Sequence, residues 1–510
     1  MKFFTSKSKI NLNNLLPIIV LISLSQCLIP GIPSNLRSNT KSLISQFNTA
    51  SYSHTNSDDK YTLAMKIINE TISFDTRFKH QAWESTAYLV DTFGPRLFGS
   101  QNLDMAIEFM YRKLQMEGFE NVRLDKVEYK RKWIRGDEHL FLLSPRPGKT
   151  KIPMTGLGKT EGGNVTAEVV LIETFEELDR EGKLGNLIGK IVFLNPVWTT
   201  YKETKKYRKH GPALSSKFGA VGVVLRSVTP HSLETVHTGG ISEDNLDSKN
   251  IKNIPAAAIS LETADMFKRM IKRGQKVVLN LYMEAKWEHG SFISHNLIGE
   301  IKGSKFPDEI IIVGGHMDSW DNGPQTGALD DGAGMMVCYE AVRLLIQKGL
   351  KPLRTIRFVG WTGEEFGKGD SRGADNYAHF HQSEMEKHIV AFESDMGTMD
   401  VYGFGFTGGN KGYNLVKMIS QIFFKGMKAD LLRRNDGFSS DINPIYKKYK
   451  VPIMRTLNVD TKEMENYFTY YHSAADSMNI LNPDDLDRNV CAIASMFFIL
   501  ADVPWKLPRD

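Results

Sequence analysis

Three cysteines in 510 residues are too few to staple a fold of this size, so a packed core must hold the chain rather than a disulfide framework. Cys27 falls in an N-terminal segment with signal character. The other two, Cys338 and Cys491, lie in apolar helical patterns and read as buried free thiols. The same scarcity argues against a thiolate-rich structural zinc site. Charge of one sign is also lacking: 64 Lys and Arg face 59 Asp and Glu, a net charge of +5. With no zinc-finger or helix-turn-helix pattern, nothing marks a nucleic-acid partner. The densest basic cluster, Lys202 to His210, reads as a solvated loop. Internal repeats are missing. With 41% hydrophobic residues, the chain can bury one large core and a second beside it.

Long apolar runs are equally scarce. The run from Leu15 to Leu24 follows Lys2, Lys7 and Lys9, contains Pro17, and ends at Ser25-Gln26-Cys27. It is short for a membrane span and reads as a signal peptide over residues 1–27, which predicts a secreted or lysosomal protein with no stable span. Two sequons, at Asn69 and Asn164, agree with that route. Residues 28–60 are rich in Ser and Asn, lack periodicity, and read as a linker or propeptide.

What the chain does contain is a repeated pairing of strand and acid. Glu309-Ile310-Ile311-Ile312-Val313 predicts a buried strand stopping at Gly314-Gly315, so His316 and Asp318 emerge at its C-terminal end, where open α/β sheets place ligands. Asp330 and Asp331 precede a helical pattern from Gly332 to Gln347, in which Val337, Ala341, Leu344 and Leu345 share a face. Thr355–Trp361 leads into Glu364-Glu365, and His388–Phe392 leads into Glu393 and Asp395. His472 stands shortly before a C-terminal helical pattern.

His316, Asp330, Glu365, Asp395 and His472 are too many ligands for one open zinc site, which usually has three. Two divalent cations sharing one carboxylate would use all five. Mixed imidazole and carboxylate donors fit zinc, with cobalt or manganese conceivable. Glu364 is then spare to move a proton. Any one of these residues alone would read as structural; the five together, three of them at or after strand-like runs, point to a metal site. Glu393 and Asp331 read as structural.

The series Gly314-Gly315-His316-Met317-Asp318-Ser319-Trp320-Asp321, Ala328-Leu329-Asp330-Asp331-Gly332-Ala333-Gly334, Trp361-Thr362-Gly363-Glu364-Glu365, Glu393-Ser394-Asp395-Met396-Gly397 and His472-Ser473-Ala474-Ala475-Asp476 resembles the co-catalytic zinc exopeptidases related to aminopeptidases. The likeness runs from about Leu63 to the C-terminus and includes Gly94-Pro95-Arg96-Leu97-Phe98-Gly99-Ser100. It implies two zinc ions per chain, one on His316 and Asp395, the other on Glu365 and His472, bridged by Asp330. It also implies Glu364 as general base, Asp318 as the acid orienting His316, and a cis peptide between Asp330 and Asp331. Asn322–Gly327 departs by being slightly longer than the family's loop, which affects the rim of the site. Asn435–Asp441 resembles the substrate-side loop, so Ser440 and Asp441 are candidate substrate-side residues; a structural turn fits that stretch equally well.

Between about Trp133 and Gly290 the acid pattern stops. Lys190–Leu194, Gly219–Leu225 and Ile254–Ile259 predict short buried strands. They resemble the protease-associated domain that interrupts such peptidases. The expected fold is therefore α/β, with a mixed, mostly parallel sheet flanked by helices and an inserted β-rich domain. The catalytic unit would comprise 61–132 and 291–510, with the insertion at 133–290 between them. The resemblance implies a homodimer that hydrolyses dipeptides or short peptides with carboxypeptidase or dipeptidase specificity. A zinc aminopeptidase is the neighbouring alternative. A non-catalytic receptor ectodomain on the same fold would be expected to have lost ligands, and a glutaminyl cyclase has a single zinc and no such insertion.

Overall fold

A computed structural model describes residues 55–243, 251–367, 372–396, 398–458 and 464–509. The expected signal peptide lies outside the described residues. The first part of the chain runs α1 (Thr55–Phe74), α2 (Gln81–Phe93), α3 (Gln101–Met116) and β1 (Glu120–Ile134). A middle part follows: β2 (Glu138–Ser144), β3 (Thr150–Ile152), β4 (Met154–Gly156), β5 (Gly163–Ile172), α4 (Phe175–Lys183), β6 (Ile191–Leu194), α5 (Tyr201–Lys217), β7 (Gly222–Arg226), β8 (Ala256–Ile259), α6 (Leu261–Lys272) and β9 (Val278–Met283). The last part contains β10 (Lys286–Ile301), β11 (Phe306–His316), α7 (Ala333–Gln347), β12 (Arg354–Trp361), α8 (Gly373–Phe380), β13 (His388–Glu393), β14 (Gly403–Thr407), α9 (Asn410–Ile419), β15 (Leu431–Arg434), α10 (Asn443–Tyr449), β16 (Ile453–Leu457), α11 (Met464–Tyr470) and α12 (Pro483–Asp502).

The first and last parts form one eight-stranded sheet, ordered β1-β10-β12-β11-β13-β16-β14-β15. Its centre, β12-β11-β13-β16, is parallel, and antiparallel pairs flank it. Every residue of β12 and β13 is buried, including Arg354 and Arg357, which pair with Glu309 and Glu300. The middle part builds a second eight-stranded sheet, β3-β2-β9-β5-β6-β7-β8-β4, whose core is separate in part from the first. The long strands β1 and β10 pair antiparallel out to Ile134 and Lys286, so the expected boundaries near 133 and 290 fall inside one ladder.

Four sequence expectations change. First, β11 does not stop at its glycines: Gly314 and Gly315 pair in register with Val359 and Gly360, and the strand ends at His316. A Cβ on Gly315 would come within 2.3 Å of Asp331 Oδ2 and 2.8 Å of the Met335 nitrogen, so glycine is required by close approach rather than by a turn. Second, α7 is buried from Ala333 to Leu345, not along one face, because it packs against β11, α2 and α12 together. Third, Lys202–His210 is not a loop. Thr200 caps α5 by accepting from the Glu203 N–H, Tyr207 stacks on Phe175 with centroids 4.2 Å apart, and Arg208 is buried. Fourth, α1 begins at Thr55, inside the segment expected to be a linker, and Lys60 pairs with Asp502 of α12. Cys338 and Cys491 are buried and free. Among the described residues no helix is long and apolar enough to cross a membrane.

Candidate active site

The parallel centre of the first sheet delivers its C-terminal ends to one place. His316 ends β11, Glu365 follows β12, and Asp395 follows β13; Asp330 and His472 come from the loops before α7 and after α11. His316 Nε2 lies 3.4 Å from Asp330 Oδ1 and 3.6 Å from Asp395 Oδ1. His472 Nε2 lies 3.4 Å from Asp330 Oδ2 and 3.0 Å from Glu365 Oε2. Each oxygen of Asp330 thus faces a different imidazole. The Asp330-Asp331 peptide bond is cis.

Two features of this pocket fit divalent cations. His316 Nε2 and Glu365 Oε1 are buried and have no hydrogen-bond partner, which is costly for a polar atom unless something else binds it. The carboxylates also crowd one another. Burial and the neighbouring Glu365 push the Asp330 carboxyl up to about 6, and burial raises Asp395 to about 7. A bound cation relieves such crowding. Among the described residues, the His/Asp/Glu groups able to hold an ion include His316 with Asp330 and Glu365, and His316 with Asp331 and Asp395. The set His316, Asp330, Glu365, Asp395 and His472 would hold zinc.

Glu364 sits beside these residues. Its Oε1 is 3.0 Å from Arg372 Nη2, and the same nitrogen is 3.2 Å from Asp441 Oδ1. Burial works to raise the Glu364 carboxyl, but Arg372 and the imidazoles outweigh it and hold it below the usual glutamate value. Asp318 acts on both sides of the site. Its backbone oxygen accepts from His316 Nδ1 at 2.8 Å, whereas its carboxylate accepts the Glu364 and Glu365 N–H groups at 3.1 and 3.2 Å. The imidazole is therefore oriented through the Asp318 carbonyl, since its carboxylate lies 3.8 Å from that nitrogen.

The loop Asn435–Asp441 reaches the same place. Ser439 Oγ donates to Asp395 Oδ2 at 3.4 Å, and half-buried Ser440 hydrogen-bonds Glu364. Asp441, expected on the substrate side, is fully buried behind Arg372. The longer loop at Asn322–Gly327 braces its surroundings: Asn322 Nδ2 donates to the His472 carbonyl at 2.7 Å, and Gln325 Nε2 to Asp91 at 2.7 Å.

Several residues gained no role from the sequence. Asp476 accepts the N–H groups of Gly327, Leu329 and Asp330 at 3.1, 2.6 and 3.3 Å, holding the Asp330 loop from below. Buried Arg96 donates to the carbonyls of Met317 and Gly327, both at 2.9 Å. Trp320 Nε1 donates to Glu365 Oε2 at 2.5 Å. Asp476, Arg96 and Trp320 all stand in the quoted motifs, so the signal was their place within those motifs. Arg372 had none.

Residues 296–497 match the family described as Peptidase family M28. Carboxypeptidase Q of Mus musculus is 36% identical over 451 residues, covering 88% of this chain and 91% of the mouse protein. The chain belongs to peptidase family M28. Carboxypeptidase Q of Homo sapiens is also 36% identical, over 88% of this chain and 90% of the human protein. The crystal structure of a peptidase M28 precursor from Shewanella amazonensis superposes with a TM-score of 0.79 at 29% identity, covering 89% of this chain and 99% of that one. An aminopeptidase from Aneurinibacillus sp. strain AM-1 shares the fold, with a TM-score of 0.59 at 19% identity over 87% of this chain and 98% of that one. As an M28 peptidase, the chain is a peptide-bond hydrolase.

Proposed function

We propose that this M28 peptidase is a two-zinc exopeptidase that hydrolyses dipeptides or short peptides with free termini. The observation that carries the reading is the position of Asp330 between His316 and His472, one carboxylate oxygen 3.4 Å from each. Likeness to carboxypeptidase Q across most of the chain favours carboxypeptidase or dipeptidase specificity.

Zinc, when bound here, would polarise the scissile carbonyl and make water a better nucleophile near neutral pH. The chain's own residues supply the rest. Glu364 takes a proton from the attacking water and returns it to the leaving amine. Arg372 holds Glu364 Oε1, and the Asp318 carboxylate fixes the backbone from which both Glu364 and Glu365 project. On the second sheet, Lys205 of α5 lies over the Tyr201 ring, 4.8 Å from its centroid, and no carboxylate pairs with it among the described residues. Burial and then Lys209 push its ammonium down to about 8, while Glu364 acts in the opposite sense. Lys205 is the cation we assign to the substrate's terminal carboxylate.

The middle part of the chain serves as a protease-associated insertion over the site. The protein enters the secretory route, to be secreted or delivered to lysosomes, and works as a homodimer. On that route Asn164 is the accessible glycan acceptor: it is exposed on β5, whereas the Asn69 amide donates to the Met65 carbonyl within α1.

Metal analysis of the full chain, combined with a library of unblocked dipeptides, tests the reading. Two zincs per chain and dipeptide hydrolysis are expected. Rapid cleavage of an amino-acid anilide, which has no carboxylate, would point instead to an aminopeptidase. Cleavage inside a long, doubly blocked peptide would overturn both.

A further inference from the structure

His472 is held from the second sheet as much as from the first. Its backbone is left-handed, with φ of 59°, a conformation unfavourable for a non-glycine residue unless its surroundings hold it. The hold comes from the segment before β8. His237 forms an antiparallel bridge with Ser473, and its Nδ1 donates to the Tyr471 carbonyl at 2.7 Å. The Thr238 N–H donates to the His472 carbonyl at 2.9 Å, and the Thr238 carbonyl lies 3.3 Å from His472 Nδ1.

That carbonyl is itself fixed. Buried Arg208 of α5 donates to it through Nη1 at 2.9 Å and to the Tyr201 hydroxyl through Nη2 at 3.0 Å. The Tyr201 hydroxyl meets the Tyr471 hydroxyl at 3.3 Å, and the Tyr471 ring stacks on the His472 imidazole with centroids 3.6 Å apart. By contrast, His316 takes its orientation from Asp318 in the same loop.

We infer that the insertion is a working part of the metal centre: Arg208, acting through the Thr238 carbonyl, is a positioning residue for His472, and it supports one metal position but not the other. A proton on Nδ1, directed at Thr238, leaves the lone pair of Nε2, which accepts from Trp320 Nε1 at 3.1 Å, facing Glu365 and Asp330. Partners of this kind commonly change metal affinity by about 10–100-fold when removed. The inference rests on the two-metal reading above.

The test is chelator titration of the zinc-loaded full chain, with zinc counted at each step, for wild type, Arg208→Met and Tyr201→Phe. Arg208→Met keeps a long side chain but loses both hydrogen bonds; Tyr201→Phe loses only a hydroxyl and keeps the assay open should the first variant fold poorly. The expected result is one zinc released at about 10–100-fold lower chelator in Arg208→Met, the same zinc released somewhat early in Tyr201→Phe, and the second zinc held as in wild type. Arg208→Lys should restore part of the loss. Wild-type release of both zincs by both variants, or equal weakening of both positions, overturns the positioning role. Wild-type protein holding fewer than two zincs overturns the two-metal reading itself.

Discussion

Arg372 Nη2 stands 3.0 Å from Glu364 Oε1, an ion pair between the first residue of the α8 approach and the carboxylate after β12. The pair keeps Glu364 ionised and aimed, as a base requires. Glu364→Gln should therefore keep fold and zinc but lose turnover by about 10²–10⁴-fold, the usual contribution of a positioned proton carrier. Steady-state kinetics with parallel zinc counting would check it, and wild-type turnover would remove Glu364 from the role.

The bridge can be separated from the single ligands. Asp330→Ala should lower zinc occupancy at both positions, because one carboxylate faces both imidazoles, whereas Asp395→Ala should chiefly affect the position near His316. Zinc counts for both variants at matched chelator concentration would decide. Two zincs retained in Asp330→Ala would reject the bridge.

The proposed specificity for unblocked dipeptides makes a prediction about substrate polarity. Capping the amine or amidating the carboxylate should each slow dipeptide hydrolysis by about tenfold to more than a hundredfold, the equivalent of about 1.5–3 kcal/mol for a hydrogen bond to a charged group. In Lys205→Ala the penalty for amidation should largely vanish while the penalty for the amine cap stays. Comparison of kcat/KM for the four substrate and enzyme combinations isolates that pair. An unchanged amidation penalty would exclude Lys205.

A buried ion cluster away from the site should shape stability against pH. His381 Nε2 meets Asp125 Oδ2 and its Nδ1 meets Glu384 Oε1, both at 2.6 Å. Burial opposes the His381 charge, yet the two carboxylates outweigh it and raise its pKa above 6.5, so its contribution is full below 6.5 and is lost as pH rises beyond. The hydrogen bond to His381 lowers Glu384 from 4.5 to about 2, so its contribution is present above 4.5 and is lost as pH falls toward 2. His381→Ala should thus destabilise most between pH 4.5 and 6.5. Denaturant midpoints across pH for both proteins should differ most in that window; a gap independent of pH would refute the charge coupling.

Much of the candidate site was readable residue by residue, because four of its five candidate ligands, all but His472, follow an apolar run or open a helical pattern, and those patterns are local. His316, Glu365 and Asp395 stand at or just past strand ends for that reason. The role of Arg372 was not readable: it reaches Glu364 and Asp441 only after α8 has packed against the sheet. The path of Lys202–His210 was also hidden. Its charge density suggests a solvated loop, yet Thr200 caps a helix through which Arg208 is buried.

By itself the amino-acid order determined the central buried strands, the helix after Asp331 and the chemical types that could bind a cation, since burial leaves apolar runs or a helical period of about 3.6 residues. Only the tertiary structure decided which oxygen of Asp330 faces which imidazole. It alone continued β11 through its glycines to His316, turned Asp441 inward, and set Thr238 against His472. Those contacts join residues far apart in the chain, through hydrogen bonds and close approaches that have no repeat in the sequence. They exist only once both sheets are formed and packed.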